Sequence, residues 1–122
     1  MDQVQRFIDA YLLGDSLFRY VYKPSTDELF LEDDLEEKDN GKFLYVPYKN
    51  SQELYMEMSY FADEQPTDIR EELLKTLMSP SPIGKFEKII PQLHLEEAWI
   101  KRKNAFAKMH LSQWFIEHGL HI

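Results

Sequence analysis

The stretch LEEAWIKRKNAFAKMHLSQWFIEH, residues 95–118, runs without proline or glycine and carries a tryptophan near each end. At 1.5 Å per residue it predicts a helix about 36 Å long, and such a helix must find neighbours along its whole length. On a wheel of about 100° per residue, Leu95, Ala98, Phe106 and Met109 fall on one side of Trp99. Ile100, Ala107, Leu111 and Trp114 fall on the other, which predicts a broad apolar arc. Glu97, Lys101, Asn104, Lys108 and Ser112 form the opposite, solvent stripe, with Arg102 and Lys103 at the boundary, where long stems can lie along apolar surface. Trp99, Phe106 and Trp114 are therefore expected in the core.

The preceding segments supply those neighbours. Val4, Phe7, Ile8, Tyr11 and Leu12 repeat at helical spacing, and Gly14 follows where a left-handed helix terminus is expected. LFRYVYK and ELFLE, separated by the turn residues PSTD, predict a β-hairpin in which Phe18, Tyr20 and Tyr22 share a face. The acidic EDDLEEKDNGK reads as a loop. KFLYVPY reads as a third strand that Pro47 ends or places at an edge. Asn50 with Glu53 opens a helix lined by Leu54, Met58 and Phe61. Pro66 and Thr67 open another, lined by Ile69, Leu73, Leu74 and Leu77 and supported by a Glu71–Lys75 pair. SPSPIG and Pro91 bracket a short KFEKII helix. The expectation is one α+β domain over residues 1–122, with an antiparallel sheet of about three strands, four to five helices and the last helix longest.

Charge narrows the function classes. The formal net charge is −8, which argues against general affinity for nucleic acid or anionic lipid. Residues 1–65 hold six basic and fifteen acidic side chains, a net −9, whereas residues 66–122 hold eight and seven, a net +1. The absence of cysteine excludes disulfides, thiolate nucleophiles, iron–sulfur clusters and cysteine zinc sites. No apolar run reaches membrane-spanning length, and MDQVQRFIDAYLLG lacks the charge pattern of a signal peptide, so a cytoplasmic protein is expected.

Chemical motifs are sparse. An EF-hand loop with Gly41 at its sixth position would put Lys38 and Pro47 where oxygen ligands belong, so that reading fails. An irregular divalent site among Glu32, Asp33, Asp34, Glu36 and Glu37 competes with a solvated loop guarding a sheet edge. His118 and His121 lack a convergent third ligand. The serines occupy no G-x-S-x-G elbow, and the four glycines form no phosphate loop. No catalytic residue, metal ligand or cofactor is assigned.

From FLYVPYKNSQELYMEMSYFADE through LLKTLMSPSPIGKFEKII to the final helix, the chain resembles a bacterial uncharacterised protein family, number 158 of the UPF series. The positions that carry the likeness are Val46-Pro47, Met58, Phe61, Leu73, Leu77, Gly84, Phe86, Trp99, Phe106 and Trp114. The chain departs from the pattern at Glu87, Lys88 and Ile89, where basic residues and a second aromatic are expected, and along the first helix. The resemblance implies the order of elements and a bacterial source, and it brings no reaction, cofactor or substrate.

The leading functional expectation is a non-catalytic interaction or regulatory module, its acidic front and neutral-to-basic end docking on a protein partner or on another copy. The alternative is nucleic-acid binding through Lys85, Lys88, Lys101, Arg102, Lys103 and Lys108, a patch that Glu87, Glu96 and Glu97 dilute. Those six residues are the candidate partner-binding set under either reading. A hydrolase or isomerase built on a carboxylate cleft stands third.

Overall fold

The structure, a computed structural model, describes residues 3–35 and 42–120. Among the described residues, five helices and a three-stranded antiparallel sheet make an α+β fold: α1 (Gln3–Leu13), β1 (Tyr20–Lys23), β2 (Glu28–Leu31), β3 (Leu44–Tyr45), α2 (Ser51–Asp63), α3 (Thr67–Leu77), α4 (Pro82–Gln92) and α5 (Glu96–Glu117). A 3₁₀ turn, Glu32–Asp34, follows β2. Sheet order is β2-β1-β3, with Val21 opposite Phe30 on one side and Tyr45 on the other. No helix among the described residues is long and apolar enough to cross a membrane.

Contacts divide the chain into two compact units, one made of residues 1–49 and 107–122, the other of residues 50–106. In the first, Phe7 is fully buried and its ring meets Tyr22, Phe115 and Trp114 at 5.0, 5.1 and 5.9 Å. Each such aromatic pair adds about 0.5–1.5 kcal/mol to the burial of its rings. Arg6, Tyr22 and Gln3 converge on Asp27 in the β1–β2 turn, and this ties α1 to the hairpin. Arg6 Nη2 and the Tyr22 hydroxyl donate to Asp27 Oδ1 at 3.0 and 2.7 Å. Gln3 Nε2 reaches Asp27 Oδ2 at 3.5 Å.

The second unit is helical. Asn50 caps α2 by accepting from the backbone N–H groups of Gln52 and Glu53, as its place in the sequence predicts. Behind the cap, Leu54, Met58, Phe61 and Ala62 are buried. They pack in a core with Leu73, Leu77, Phe86, Ile90, Trp99 and Phe106. Trp99 lies 5.1 Å from Phe86 and 5.2 Å from Phe61.

Several local expectations are corrected. Phe18 lies before β1 and is 55% exposed, because Asp15 draws residues 15–18 into a turn. The third strand shrinks to two residues. Gly14 has no positive φ; it is required by crowding, since a Cβ there would sit 2.8 Å from the Ala10 carbonyl and 3.2 Å from the Tyr48 Cβ. Pro91 does not break α4 but occupies its last turn, while Pro82 supplies the first, where a missing N–H costs nothing. Ile100 and Met109 are 51% and 63% exposed, so the buried stripe of α5 is narrower than the wheel predicts. Trp99, Phe106 and Trp114 are buried as expected. The expected Glu71–Lys75 pair does not close into an ion pair.

Candidate functional site

Helices α3 and α4 each bury one face, through Leu73 and Leu77 and through Phe86 and Ile90. The flanking faces meet in a groove of about 420 Å³. Its lining has the same periodicity on both walls: Glu72, Lys75, Thr76 and Ser79 stand at i, i+3, i+4 and i+7, and so do Lys85, Lys88, Ile89 and Gln92. The turn between the helices fixes this register. Met78 ends α3, and Ser81, held between two prolines at φ +53°, starts α4.

Three ammonium groups and one carboxylate therefore line the groove, Lys75 beside Glu72 on the α3 wall and Lys85 and Lys88 on the α4 wall. Lys75, Lys85 and Lys88 are exposed, and none has a described carboxylate within 4 Å. The hydroxyls are already committed as donors: Thr76 Oγ1 donates to the Glu72 carbonyl at 2.9 Å and Ser79 Oγ to the Thr76 carbonyl at 2.6 Å. Hydrogen-bond donation into the groove thus falls to the lysines and to the Gln92 amide. The chemistry is that of a cation-lined groove for carboxylates or other anions, in a chain that is otherwise acidic.

The six basic residues expected at a binding surface are not equivalent. Lys85 and Lys88 line the groove. Arg102 is neutralised within its own unit: its Nε donates to Glu57 Oε2 at 3.0 Å and its Nη1 pairs with Glu64. Lys103 Nζ lies 3.4 Å from both Glu87 oxygens and 5.9 Å from the Trp99 ring centroid. Lys101 is exposed beside a second groove, of about 460 Å³, where Ala98, Arg102 and Ala105 oppose Phe61, Glu64 and Gln65. That groove is charge-balanced by the Arg102 pairs. Lys108 is exposed on the part of α5 that belongs to the first unit.

No family model, curated protein or solved structure matches the chain.

Lys75 is the groove cation that the sequence reading missed. Its spacing from Glu71 suggests a helix-supporting pair, while its spacing from Ser79 places those two on one face. Among the described residues, no three His, Asp or Glu side chains gather as a metal site would require. Glu36, Glu37, Gly41 and His121 lie outside the described residues. His118 packs on Trp114 at 5.2 Å, and His110 stacks on Tyr11 at 5.7 Å.

Proposed function

We propose that the chain is a non-catalytic interaction module of the bacterial cytoplasm that holds an acidic segment of a protein partner in the α3–α4 groove. The observation that carries this reading is the trio Lys75, Lys85 and Lys88, cationic and without carboxylate partners among the described residues, on facing walls of one groove. An extended peptide with several carboxylates would exchange water for charge-assisted hydrogen bonds there. The resemblance to the bacterial uncharacterised family, together with a cysteine-free composition, supports the cellular setting.

The observations favour a protein over a nucleic acid. Glu72 stands among the lysines, and among the described residues the groove is lined by one large apolar side chain, Ile89, and by no ring for base stacking. Arg102 and Lys103, which a phosphate backbone would use, are already paired. The test is fluorescence anisotropy with a labelled acidic peptide of about ten residues, an equally long basic peptide and a single-stranded oligonucleotide of matched charge. Saturable binding of the acidic peptide, weakened at least tenfold in K85E/K88E, is expected. Equal binding by that variant, or preference for the oligonucleotide, defeats the proposal.

A further inference from the structure

We propose that the partner segment is a surface of a second copy of this chain, the apolar and acidic corner formed by Leu17, Phe18, Asp33 and Asp34. The proposal rests on the reading of the α3–α4 groove as a receptor for acidic protein, and it deepens that reading by naming the occupant.

The corner is built to be presented. Leu17 is 79% and Phe18 55% exposed. Asp15 Oδ1 accepts from both of their backbone N–H groups, at 2.8 and 2.9 Å, and the Asp15 N–H donates to the Phe18 carbonyl at 3.2 Å. Two large apolar side chains are thus fixed outside the core by a well-bonded turn. This lowers the ordering cost of docking them. Leu17, Phe18, Arg19, Leu31, Glu32 and Asp33 line one small concavity, the Arg19 guanidinium lying 4.3 Å from the Tyr45 ring centroid, so the turn and the acids after β2 share a surface. Asp33 and Asp34 are exposed.

The groove offers the complement in both respects. Lys75, Lys85 and Lys88 answer the carboxylates. The half-buried Ile89 answers the apolar pair. Charge complementarity sets orientation and encounter rate, and apolar contact adds to affinity. Each chain carries one corner and one groove. Copies therefore either exchange corner and groove reciprocally in a two-fold pair or link head to tail.

Sedimentation velocity on the full chain, from about 1 µM to about 500 µM, reads the outcome directly. Mass is expected to rise with concentration at about 0.1 M salt and to fall back at about 0.5 M, where exposed charges are more strongly screened. K85E/K88E and D33K/D34K are each expected to weaken association at least tenfold. An equimolar mixture of the two should restore it, because every reversed surface then meets its complement. All four positions are exposed, and circular dichroism is the check that each variant is folded. A wild type that stays monomeric throughout, reversals without effect, or a mixture that fails to reassemble would each overturn the proposal. Acidic-peptide binding that persists in a monomeric wild type assigns the groove to a different protein, ending this inference while leaving the function above in place.

Discussion

Glu87 holds two groups at once. Its Oε2 accepts from the Trp99 indole N–H at 3.2 Å, and Lys103 sits against both of its oxygens. Trp99 is 1% exposed, so removing that acceptor leaves an indole donor with little access to water. Glu87→Ala is expected to cost about 1–3 kcal/mol in chemical denaturation, with Glu87→Gln recovering most of it because the amide oxygen still accepts. His94 presents the opposite case. With φ +58° it closes α4 in a Schellman motif, its N–H donating to the Pro91 carbonyl and that of Leu95 to the Ile90 carbonyl. The same role at the end of α5 falls to Gly119. His94→Gly should therefore stabilise the protein by about 1 kcal/mol, and a lower denaturation midpoint would refute this. Asp27 supplies a pH dependence. The Tyr22 hydroxyl first, and then Arg6, hold its carboxyl below the usual aspartate value of 3.8. A depressed folded value gives stability that is present above pH 3.8 and lost as pH falls through the lower folded value. Acid titration should show a steeper loss in wild type than in Asp27→Asn, whose side chain tolerates the left-handed backbone at this position.

At the level of elements, sequence patterns specified type and order better than ends or exposure. Periodicity located α2, because Leu54, Met58 and Phe61 leave no other face to bury and Asn50 marks where it starts. The same periodicity misjudged α5. Ile100 and Met109 satisfy an apolar wheel, yet the neighbours that decide exposure come from distant segments. Pro91 misled in the same way: in the last helical turn, few following residues remain for a kink to disturb. Gly14 was singled out correctly but for the wrong reason, since the chain passing at Tyr48 is 34 positions away in sequence. The crowding sharpens the prediction. Any Cβ meets backbone at the Ala10 carbonyl, and Lys49 Nζ also binds the Gly14 carbonyl at 3.2 Å. Gly14→Ala is expected to lower stability by about 1–3 kcal/mol in thermal or urea unfolding, whereas a left-handed requirement would have predicted tolerance for Asn.

Across the whole molecule, sequence could announce an acidic front and a more basic end but not which cations were available. Arg102 and Lys103 look like their neighbours in the string, and only tertiary placement beside Glu57, Glu64 and Glu87 removes them from the set. Lys75, Lys85 and Lys88 remain because α3 and α4 turn matching faces toward one groove. The excess of carboxylates over residues 1–65 also acts on the fold itself, since like charges repel in the compact state. Salt has two opposed effects here: it weakens the ion pairs of Arg6, Arg102 and Lys103, each worth about 0–1 kcal/mol when exposed, and it relieves the repulsion. A net charge of −8 makes relief the larger effect. Raising salt from about 0.02 to about 0.2 M should add about 1 kcal/mol, a rise of roughly 3–5 °C in Tm at this chain length. The measurement belongs at a few micromolar, where association contributes little. D33K/D34K, which cuts the net charge to −4, should melt higher than wild type at low salt and gain less from added salt. A wild type whose Tm falls with salt would show instead that the paired arginines and Lys103 outweigh the acidic front.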